Sequence, residues 1–205
     1  IFDTKRQTFR NDIYPEYKAH RPPAPEDLVP QFPIIREAVK AFGLPGLELD
    51  GFEADDLIAT YATQARTKGW KVTIVSSDKD LMQLVSPNVS MLKPEKIGFS
   101  KIGPDEVKEK FGVGPEKLGD VLGLMGDSSD NIPGVPGIGP KTAAKLTPSY
   151  APADPVLAPA DHLTPNPTAR ATAAADAPDP ARQLSALDLE RALALDSAAT
   201  LVPRS

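Results

Sequence analysis

Strand and helix signals alternate along the first 146 residues, and this alternation constrains the fold more than any other feature of the sequence. Short β-branched or apolar runs are separated by longer stretches in which apolar residues recur at helical spacing. The pattern predicts strands at residues 1–3, 47–49, 72–75 and 89–92, and helices at residues 25–42, 53–68, 81–85, 104–111, 115–125 and 141–146. Strands separated by helices predict an α/β fold, with a mainly parallel sheet and flanking helices.

The composition divides the chain into three parts. We predict an α/β domain over residues 1–111 and a small helical region over residues 112–146, because the strand signals stop at Gly112. All 14 glycines lie between Gly43 and Gly139, whereas residues 147–205 are dominated by Ala and Pro and contain no Lys. This composition predicts a disordered low-complexity tail. Within it, residues 183–201 have helical spacing, which fits either a marginal amphipathic helix or a helix that binds a partner.

Composition also excludes several classes of protein. The chain has no run of about 18 apolar residues, so no transmembrane span is predicted. It has no cysteine and two histidines, which excludes disulfides and thiolate metal sites and disfavours a His-rich zinc site. The chain starts at Ile1 without a basic-then-apolar leader and without an initiator Met, so we expect no secretory signal and interpret the chain as a fragment. The net charge of −5 means that nucleic-acid binding would need a local basic patch or bound cations.

Eight acidic residues lie at predicted strand ends and helix starts: Asp3, Glu53, Asp55, Asp56, Asp78, Asp80, Asp127 and Asp130. Functional groups gather at the carboxyl ends of strands in an open α/β sheet, so we expect these acids to converge. Helix capping is an alternative for the groups at 53–56 and 77–80, each taken alone. Converging carboxylates repel one another unless they are protonated or bridged by cations. An all-oxygen set favours Mg²⁺ or Mn²⁺ over zinc, and two such ions would serve phosphodiester hydrolysis.

A Gly/Pro-rich segment at residues 134–142 is the second candidate motif. It is not a phosphate-binding loop, because Pro140 separates Gly139 from Lys141, and it lacks the third glycine of a dinucleotide-binding loop. It fits a helix–hairpin–helix turn, in which backbone N–H groups approach a DNA phosphate and Ile138 anchors the hairpin in the core. A simple connecting turn is the alternative. The candidate DNA-binding residues here are Gly134, Gly137, Ile138, Gly139, Lys141 and Thr142.

A basic segment at residues 5–21 supplies the local positive charge that the whole chain lacks. Its basic residues are Lys5, Arg6, Arg10, Lys18 and Arg21, against the acids Asp12 and Glu16. The aromatic residues Phe9, Tyr14 and Tyr17 lie between them. Charge interleaved with aromatic rings is typical of surfaces that bind single strands by stacking. The alternative is an exposed, solvated loop.

Together these motifs resemble the 5′-nuclease (flap endonuclease-like) family, found as the N-terminal domain of bacterial DNA polymerase I. The matching segments are Phe2-Asp3, Phe9-Arg10, Tyr17-Lys18-Ala19-His20-Arg21, Gly51-Phe52-Glu53-Ala54-Asp55-Asp56, Ser77-Asp78-Lys79-Asp80, Gly126-Asp127-Ser128-Ser129-Asp130-Asn131 and the hairpin at 134–142. The resemblance covers residues 1–146. It implies a PIN-like, resolvase-like fold and a metal-dependent 5′→3′ exonuclease and flap endonuclease of primer removal and DNA repair.

The resemblance also implies roles for individual residues. The eight acids would form the site of two Mg²⁺ ions, for which Mn²⁺ can substitute, some of them acting through water and Asp78 and Asp80 counted as catalytic. Lys18 and Arg21 would reach the scissile phosphate, with Arg10 and Tyr17 as further DNA contacts. The hairpin would hold duplex backbone, with K⁺ as a monovalent cation there.

The partners implied are a DNA with a 5′ flap or a single-strand/duplex junction and a polymerase domain in the same full-length protein. We expect a monomer in the bacterial cytoplasm, near the nucleoid, with no membrane partner. In the family a further strand with another metal-ligand aspartate would precede Ile1, and residues 147–205 do not follow the family pattern. Two alternatives therefore stay open: a DNA-binding fragment without catalysis, and a nuclease-like fold that only scaffolds a partner.

Overall fold

A computed structural model describes residues 1–147, and the predicted tail, including the helical spacing at 183–201, lies outside the described residues. The elements, in chain order, are α1 (Phe9–Ile13), α2 (Gln31–Ala41), α3 (Ala54–Thr67), β1 (Val72–Val75), a 3₁₀ helix (Asp80–Leu84), β2 (Val89–Pro94), β3 (Phe99–Ile102), α4 (Pro104–Phe111), α5 (Pro115–Met125) and α6 (Pro140–Leu146). Among these, no helix combines the length and apolar character needed to cross a membrane.

The sheet of this region is mixed rather than uniformly parallel. Its order is β1-β2-β3, with β1 parallel to β2 and β2 antiparallel to β3. The prediction of a mainly parallel sheet therefore describes one of the two pairings. The sequence did not predict β3, which follows β2 through a tight turn in which Glu95 N donates to Gly98 O and Gly98 has a φ of 76°. Such a short turn joins antiparallel strands, whereas parallel strands need a crossover.

Two predicted strands, at residues 1–3 and 47–49, do not form strands in the described region. The two segments lie side by side and share a hydrogen bond from Phe2 N to Leu47 O at 2.8 Å. The ladder does not continue because the carbonyl of Asp3 accepts from the Arg36 guanidinium instead, at 3.0 Å. Strand β1 is the edge of the sheet, and only Ile74 of its four residues is buried.

Helix boundaries follow the capping residues. α4 and α5 match the predicted bounds, because each begins with a proline, Pro104 or Pro115, and ends at a glycine with positive φ. α2 begins six residues later than predicted, at Gln31. Prolines have no N–H to donate within a helix, and the preceding segment, with Pro25 and Pro30, forms turns instead.

The apolar core has two main parts, and both lie behind the candidate site. The larger packs the inner faces of α3, the sheet, the 3₁₀ helix and α5 around Leu81, Met82 and Met91. The smaller joins α5 to α6 and contains Val121, Ile138 and Ala143. Ile138 is buried, as predicted for the anchor of the hairpin. The first core supports the strand and helix ends that carry the acidic residues, and the second supports the hairpin.

Candidate metal centre and nucleic-acid cleft

Acidic side chains from distant parts of the chain meet in one cleft beside the carboxyl end of β1. We call it the acidic cleft; its lining residues are Asp3, Arg10, Tyr17, Lys18, Arg21, Glu53, Ala54, Asp55, Asp78, Asp80 and Asp130. Asp127 adjoins it, since one of its carboxylate oxygens lies within 4.8 Å of oxygens of Asp80 and Asp130. Seven of the eight predicted acids therefore gather in or next to one site, and Asp56 does not line it.

The beginning of α3 places Glu53 and Asp55 in the cleft. Glu53 is the residue before the helix, and its N–H donates to Asp56 Oδ2 at 3.1 Å. The N–H of Ala54 donates to Asp3 Oδ1 at 2.6 Å, so Asp3 also satisfies a free amide of the first turn. The capping interpretation thus holds for Asp56, whereas the cap that Asp3 provides was not predicted, and both coexist with convergence of the acids.

Asp56 and Arg10 form a buried ion pair beneath the cleft. Asp56 is fully buried and Arg10 is 3% exposed, and two hydrogen bonds of 2.7 Å join the guanidinium to both carboxylate oxygens. Burial alone would lower the pKa of Arg10, but the hydrogen bonds and charge of Asp56 outweigh burial and raise it. Asp56 was predicted as a metal ligand and Arg10 as a DNA contact. With their polar atoms bound to each other and covered, we assign both a structural role and leave them out of the proposed site.

Asp78 lies on the turn between β1 and the 3₁₀ helix, and Asp80 is the first residue of that helix. Asp78 Oδ1 accepts from the N–H of Asp80 at 2.9 Å, which fixes the turn. The second carboxylate, that of Asp80, points inward: its Oδ1 is buried and has no hydrogen-bond partner within the described residues. Lys79 Nζ lies 3.5 Å from this oxygen.

Asp127 and Asp130 lie on the turn after α5, which is closed by paired backbone hydrogen bonds between Asp127 and Ile132. Asp127 Oδ1 accepts from the N–H of Ser129 at 2.8 Å, and its Oδ2 accepts from Lys79 Nζ. Asp130 is 9% exposed and its oxygens face the cleft. The turn therefore presents both carboxylates toward Asp80.

The three carboxylates of Asp80, Asp127 and Asp130 fit a divalent cation. Each offers an oxygen within 4.8 Å of the others, and the buried oxygen of Asp80 that lacks a hydrogen bond needs a cation or donor. Carboxylate oxygens without Cys or His ligands are the set that hard cations such as Mg²⁺ and Mn²⁺ prefer. The residues present thus fit the metal that the sequence predicts.

Crowding of acids changes the protonation of the cleft. Burial, followed by the charges of Asp78 and Glu53, raises the pKa of Asp55 to about 7. Burial also raises the pKa of Asp80 to about 6; Lys79 opposes this rise, and Asp78, Asp127 and Asp130 add to it. A bound cation would relieve this repulsion and favour the ionised forms.

Asp127 behaves in the opposite way. Burial alone would raise the pKa of Asp127, but the hydrogen bonds from Lys79 and from Ser129 outweigh burial and lower it. Burial likewise opposes the charge of Lys79, yet Asp127, Asp80 and Asp78 together raise the pKa of the lysine. The pair is therefore held in its ionised form.

Lys18 and Arg21 reach into the cleft from the basic segment. Lys18 Nζ donates to Glu53 Oε1 at 2.8 Å and lies 3.7 Å from Asp130 Oδ2. Arg21 donates to Asp130 Oδ1 at 2.6 Å, and its side chain is 46% exposed. Both cations lie beside the acids, at the position predicted for residues that contact a phosphate at the metal site.

Tyr17 is buried beneath these cations and cannot stack on a nucleobase in this conformation, which differs from the predicted stacking role. It is 3% exposed, and its hydroxyl lies 3.1 Å from Glu53 Oε2 and 3.0 Å from Asp130 Oδ2. Burial, and then the charges of Glu53 and Asp130, raise the pKa of Tyr17, so the hydroxyl keeps its proton and donates it. Tyr17 therefore ties the two carboxylates together.

The hairpin is a separate surface after α5. Gly134 packs against the end of that helix so closely that a Cβ there would lie 2.2 Å from the carbonyl carbon of Met125. Gly137 has a φ of 79°, and Gly137, Gly139 and Lys141 are exposed. Thr142 is half-buried, and its N–H donates to Gly139 O at 3.0 Å as α6 begins. The exposed backbone of this turn is free of side-chain cover at its glycines, as a phosphate contact requires.

One cleft residue, Lys79, was not among the predicted site residues. Its ammonium group contacts two of the three carboxylates that fit a metal, Asp127 and Asp80. The sequence did contain a signal, because Lys79 stands between Asp78 and Asp80. Its contact with Asp127 spans 48 positions of sequence and could not be predicted from the motif.

Family models match the chain in two parts. A model described as 5'-3' exonuclease, N-terminal resolvase-like domain, matches residues 1–112. A model described as 5'-3' exonuclease, C-terminal SAM fold, matches residues 113–203. The second match extends past the described residues into the segment that we expected to lie outside the family pattern.

Curated relatives are much longer proteins. DNA polymerase I of Rhizobium leguminosarum is 59% identical over 157 residues, which cover 77% of this chain and 15% of that protein. A 5'-3' exonuclease of Aquifex aeolicus (strain VF5) is 46% identical over 157 residues, which cover 77% of this chain and 54% of that protein. The chain thus spans a small part of the first and about half of the second.

Solved structures of a bacteriophage T5 enzyme share the fold. T5 5'-exonuclease with bound divalent metal ions (zinc) is 25% identical, with a TM-score of 0.72, over 91% of this chain and 72% of that chain. T5 D15 protein co-crystallised with metal ions is 23% identical, with a TM-score of 0.77, over 90% of this chain and 73% of that chain. The predicted resolvase-like α/β fold is confirmed, and so is the resemblance drawn from the motifs. Because the N-terminal model alone spans more than half of the sequence, the chain belongs to the 5'-3' exonuclease family.

Proposed function

We propose that this chain hydrolyses phosphodiester bonds in DNA near a single-strand/duplex junction, as a 5′→3′ exonuclease and 5′-flap endonuclease. Family membership supports the reaction class. The acidic cleft supports the chemistry, because it combines carboxylates for cations with Lys18 and Arg21 for a phosphate. The DNA polymerase I relatives support a polymerase domain in the same full-length protein and a role in primer removal and repair.

The proposed metal set divides by position. Asp80, Asp127 and Asp130 form one group, and the other acids that line the cleft are Asp3, Glu53, Asp55 and Asp78. Bound Mg²⁺, or Mn²⁺ in its place, would supply an activated water and would stabilise the oxygen that leaves. We propose two ions on this basis.

The basic residues have the task of holding the substrate. Lys18 and Arg21 are paired with Glu53 and Asp130 in the structure, and cations bound to these acids would release both side chains toward an incoming phosphate. Their positions within the cleft would align the scissile phosphate with the carboxylates. The exposed hairpin glycines and Lys141 would hold the duplex backbone, where K⁺ is the proposed monovalent cation.

The observation that carries the proposal is the buried Oδ1 of Asp80. It has no hydrogen-bond partner within the described part of the chain, and Asp80 offers one carboxylate oxygen within 4.8 Å of an oxygen of Asp127 and of Asp130. A buried carboxylate oxygen costs stability unless a positive charge offsets it. Lys79 Nζ lies 3.5 Å away, and a divalent cation in contact with the oxygen would offset its charge more fully.

The test is cleavage of a 5′-flap DNA in Mg²⁺ by the chain and by Asp80→Asn. We expect the substitution to lower the cleavage rate by about 100-fold or more, since a metal ligand loses its charge. Asp105→Asn is the matched control, because Asp105 is exposed in the first turn of α4, outside the cleft. Equal rates for Asp80→Asn and the control would reject the site. Flap binding by the wild-type chain without product at any Mg²⁺ concentration would support the non-catalytic alternative instead.

A further inference from the structure

Lys79 occupies an unusual position between two carboxylates of the metal group. Its ammonium group donates to Asp127 Oδ2 and lies 3.5 Å from Asp80 Oδ1, the buried oxygen without a hydrogen bond. The lysine side chain is 31% exposed, and that of Asp127 is 11% exposed. This is a half-buried contact, so solvent screens it less than an ordinary surface ion pair.

The ammonium group contacts two of the carboxylates that a divalent ion would need. Asp80 and Asp127 supply two of the three carboxylates that fit a metal, and Lys79 contacts both. Asp130, the third, is paired with Arg21. Lysine suits a temporary role here, because its charge sits on a flexible four-carbon stem and can swing away without moving the backbone.

We infer that Lys79 is an internal counter-cation, which neutralises Asp80 and Asp127 in the metal-free protein and must be displaced when a divalent ion binds there. The inference rests on the proposed function, because it concerns the same carboxylates. Two cations compete for one set of oxygens, so the lysine weakens metal binding while it stabilises the metal-free fold. It is a positioning residue that sets the metal concentration at which the site fills.

The inference predicts that one substitution, Lys79→Gln, raises the affinity for Mg²⁺ and lowers the stability of the metal-free protein. Lys79→Gln keeps a hydrogen-bond donor for Asp127 and removes the charge. We expect it to bind Mg²⁺ on the order of tenfold more tightly than the wild-type chain, because Mg²⁺ no longer has to displace a charged hydrogen bond from the carboxylates. In a chelator the same variant should melt at a lower temperature than the wild-type chain, because Asp80 and Asp127 lose their counter-charge.

Two variants control for trivial explanations. Lys93→Gln makes the same change in net charge on β2, where Lys93 pairs with Glu95 at 3.0 Å on the surface. It should leave the Mg²⁺ affinity within about twofold of the wild-type value. Lys79→Arg keeps the positive charge and should bind Mg²⁺ no more tightly than the wild-type chain.

The measurement is a calorimetric titration of the full chain with MgCl₂ in the absence of DNA, with thermal unfolding in chelator and in Mg²⁺. Tighter binding by Lys79→Gln, together with a lower melting temperature in chelator, supports the inference. Unchanged or weaker binding by Lys79→Gln overturns it, and so does an equal gain in Lys93→Gln. If Lys79→Gln is unfolded in chelator, its refolding on addition of MgCl₂ supports the inference, and failure to refold overturns it. Flap cleavage by the wild-type chain is scored separately, so failure of the proposed nuclease activity is distinguishable from failure of the lysine's role.

Discussion

The buried ion pair between Arg10 and Asp56 is the residue-scale feature on which the cleft depends. It connects α1 to the first turn of α3, across 46 positions of sequence, and both groups are covered. Replacing Arg10 with Met would leave the Asp56 carboxylate buried without its counter-charge. We expect Arg10→Met to lower the free energy of unfolding by about 3 kcal/mol or more, measured by urea denaturation.

A surface ion pair provides the comparison. Lys5 and Asp50 lie 2.7 Å apart, with side chains 66% and 65% exposed. Water and salt screen this pair, so Lys5→Met should leave the midpoint of urea denaturation close to that of the wild-type chain. Similar losses in Lys5→Met and Arg10→Met would contradict a special role for the buried pair.

At this scale the sequence predicted which acids matter better than it predicted what each one does. Position at strand ends and helix starts identified the acids that line the cleft, since local pattern determines those ends. The partners of each group depend on contacts between distant segments. Arg10 and Tyr17 were therefore predicted as surface contacts for DNA, whereas tertiary packing buries both, and Lys79 was missed.

At the scale of elements, α5 approaches the hairpin so closely that position 134 has no room for a side chain. A Cβ at this position would lie 2.2 Å from Met125 C and 2.5 Å from Gly126 N, which are backbone atoms and cannot rotate away. We expect Gly134→Ala to cost about 2 kcal/mol of unfolding free energy and to weaken binding of duplex DNA. Thermal unfolding and fluorescence anisotropy with a labelled duplex would measure the two effects.

Gly139 is the matched position in the same turn. No atom lies within 4 Å of a Cβ built there, and its φ of −97° suits any residue. Gly139 is the N-cap of α6, where Ala is less favourable than Gly, so Gly139→Ala should cost at most about 1 kcal/mol, less than Gly134→Ala. If Gly134→Ala were equally well tolerated, the packing of the hairpin against α5 would not matter for the fold.

Element boundaries were predictable wherever a residue with restricted backbone marks them. Pro104 and Pro115 fix the beginnings of α4 and α5, and Gly112 and Gly126 fix their ends. Where several prolines cluster, as before α2, propensity alone placed the start of the helix too early. Strand β3 was missed because its four residues gain stability from pairing with β2 and carry little pattern of their own.

At the scale of the whole molecule, the distribution of charge matters more than its sum. The chain has a net charge of −5, yet the carboxylates in and beside its acidic cleft are paired with four cations, Arg10, Lys18, Arg21 and Lys79. The sequence predicted both signs of charge, in separate segments, but not that they would neutralise each other in one cleft. This pairing follows from desolvation, which is unfavourable for unpaired ions of either sign. Under the proposed function, divalent cations and a phosphate would replace these internal pairs.

The acid-rich cleft should also make the stability of the metal-free protein depend on pH. Asp55 and Asp80 have pKa values of about 7 and about 6 in the fold, against 3.8 when unperturbed. Between about pH 4 and pH 7 the folded state therefore binds more protons than the unfolded state, and stability falls as pH rises through this window. In chelator we expect the melting temperature to be roughly 5 °C higher near pH 5.5 than near pH 7.5. Asp55→Asn should flatten this slope, because the amide cannot ionise.

Magnesium should reverse the trend, because metal binding requires ionised carboxylates and is stronger at the higher pH. The gain in melting temperature on adding Mg²⁺ should therefore be larger near pH 7.5 than near pH 5.5. Asp105→Asn, outside the cleft, should keep the pH slope of the wild-type chain. A pH dependence of the melting temperature that persists in Asp55→Asn and disappears in Asp105→Asn would show that crowding in the cleft is not its cause. In that case the acids of the cleft are not held together for a cation.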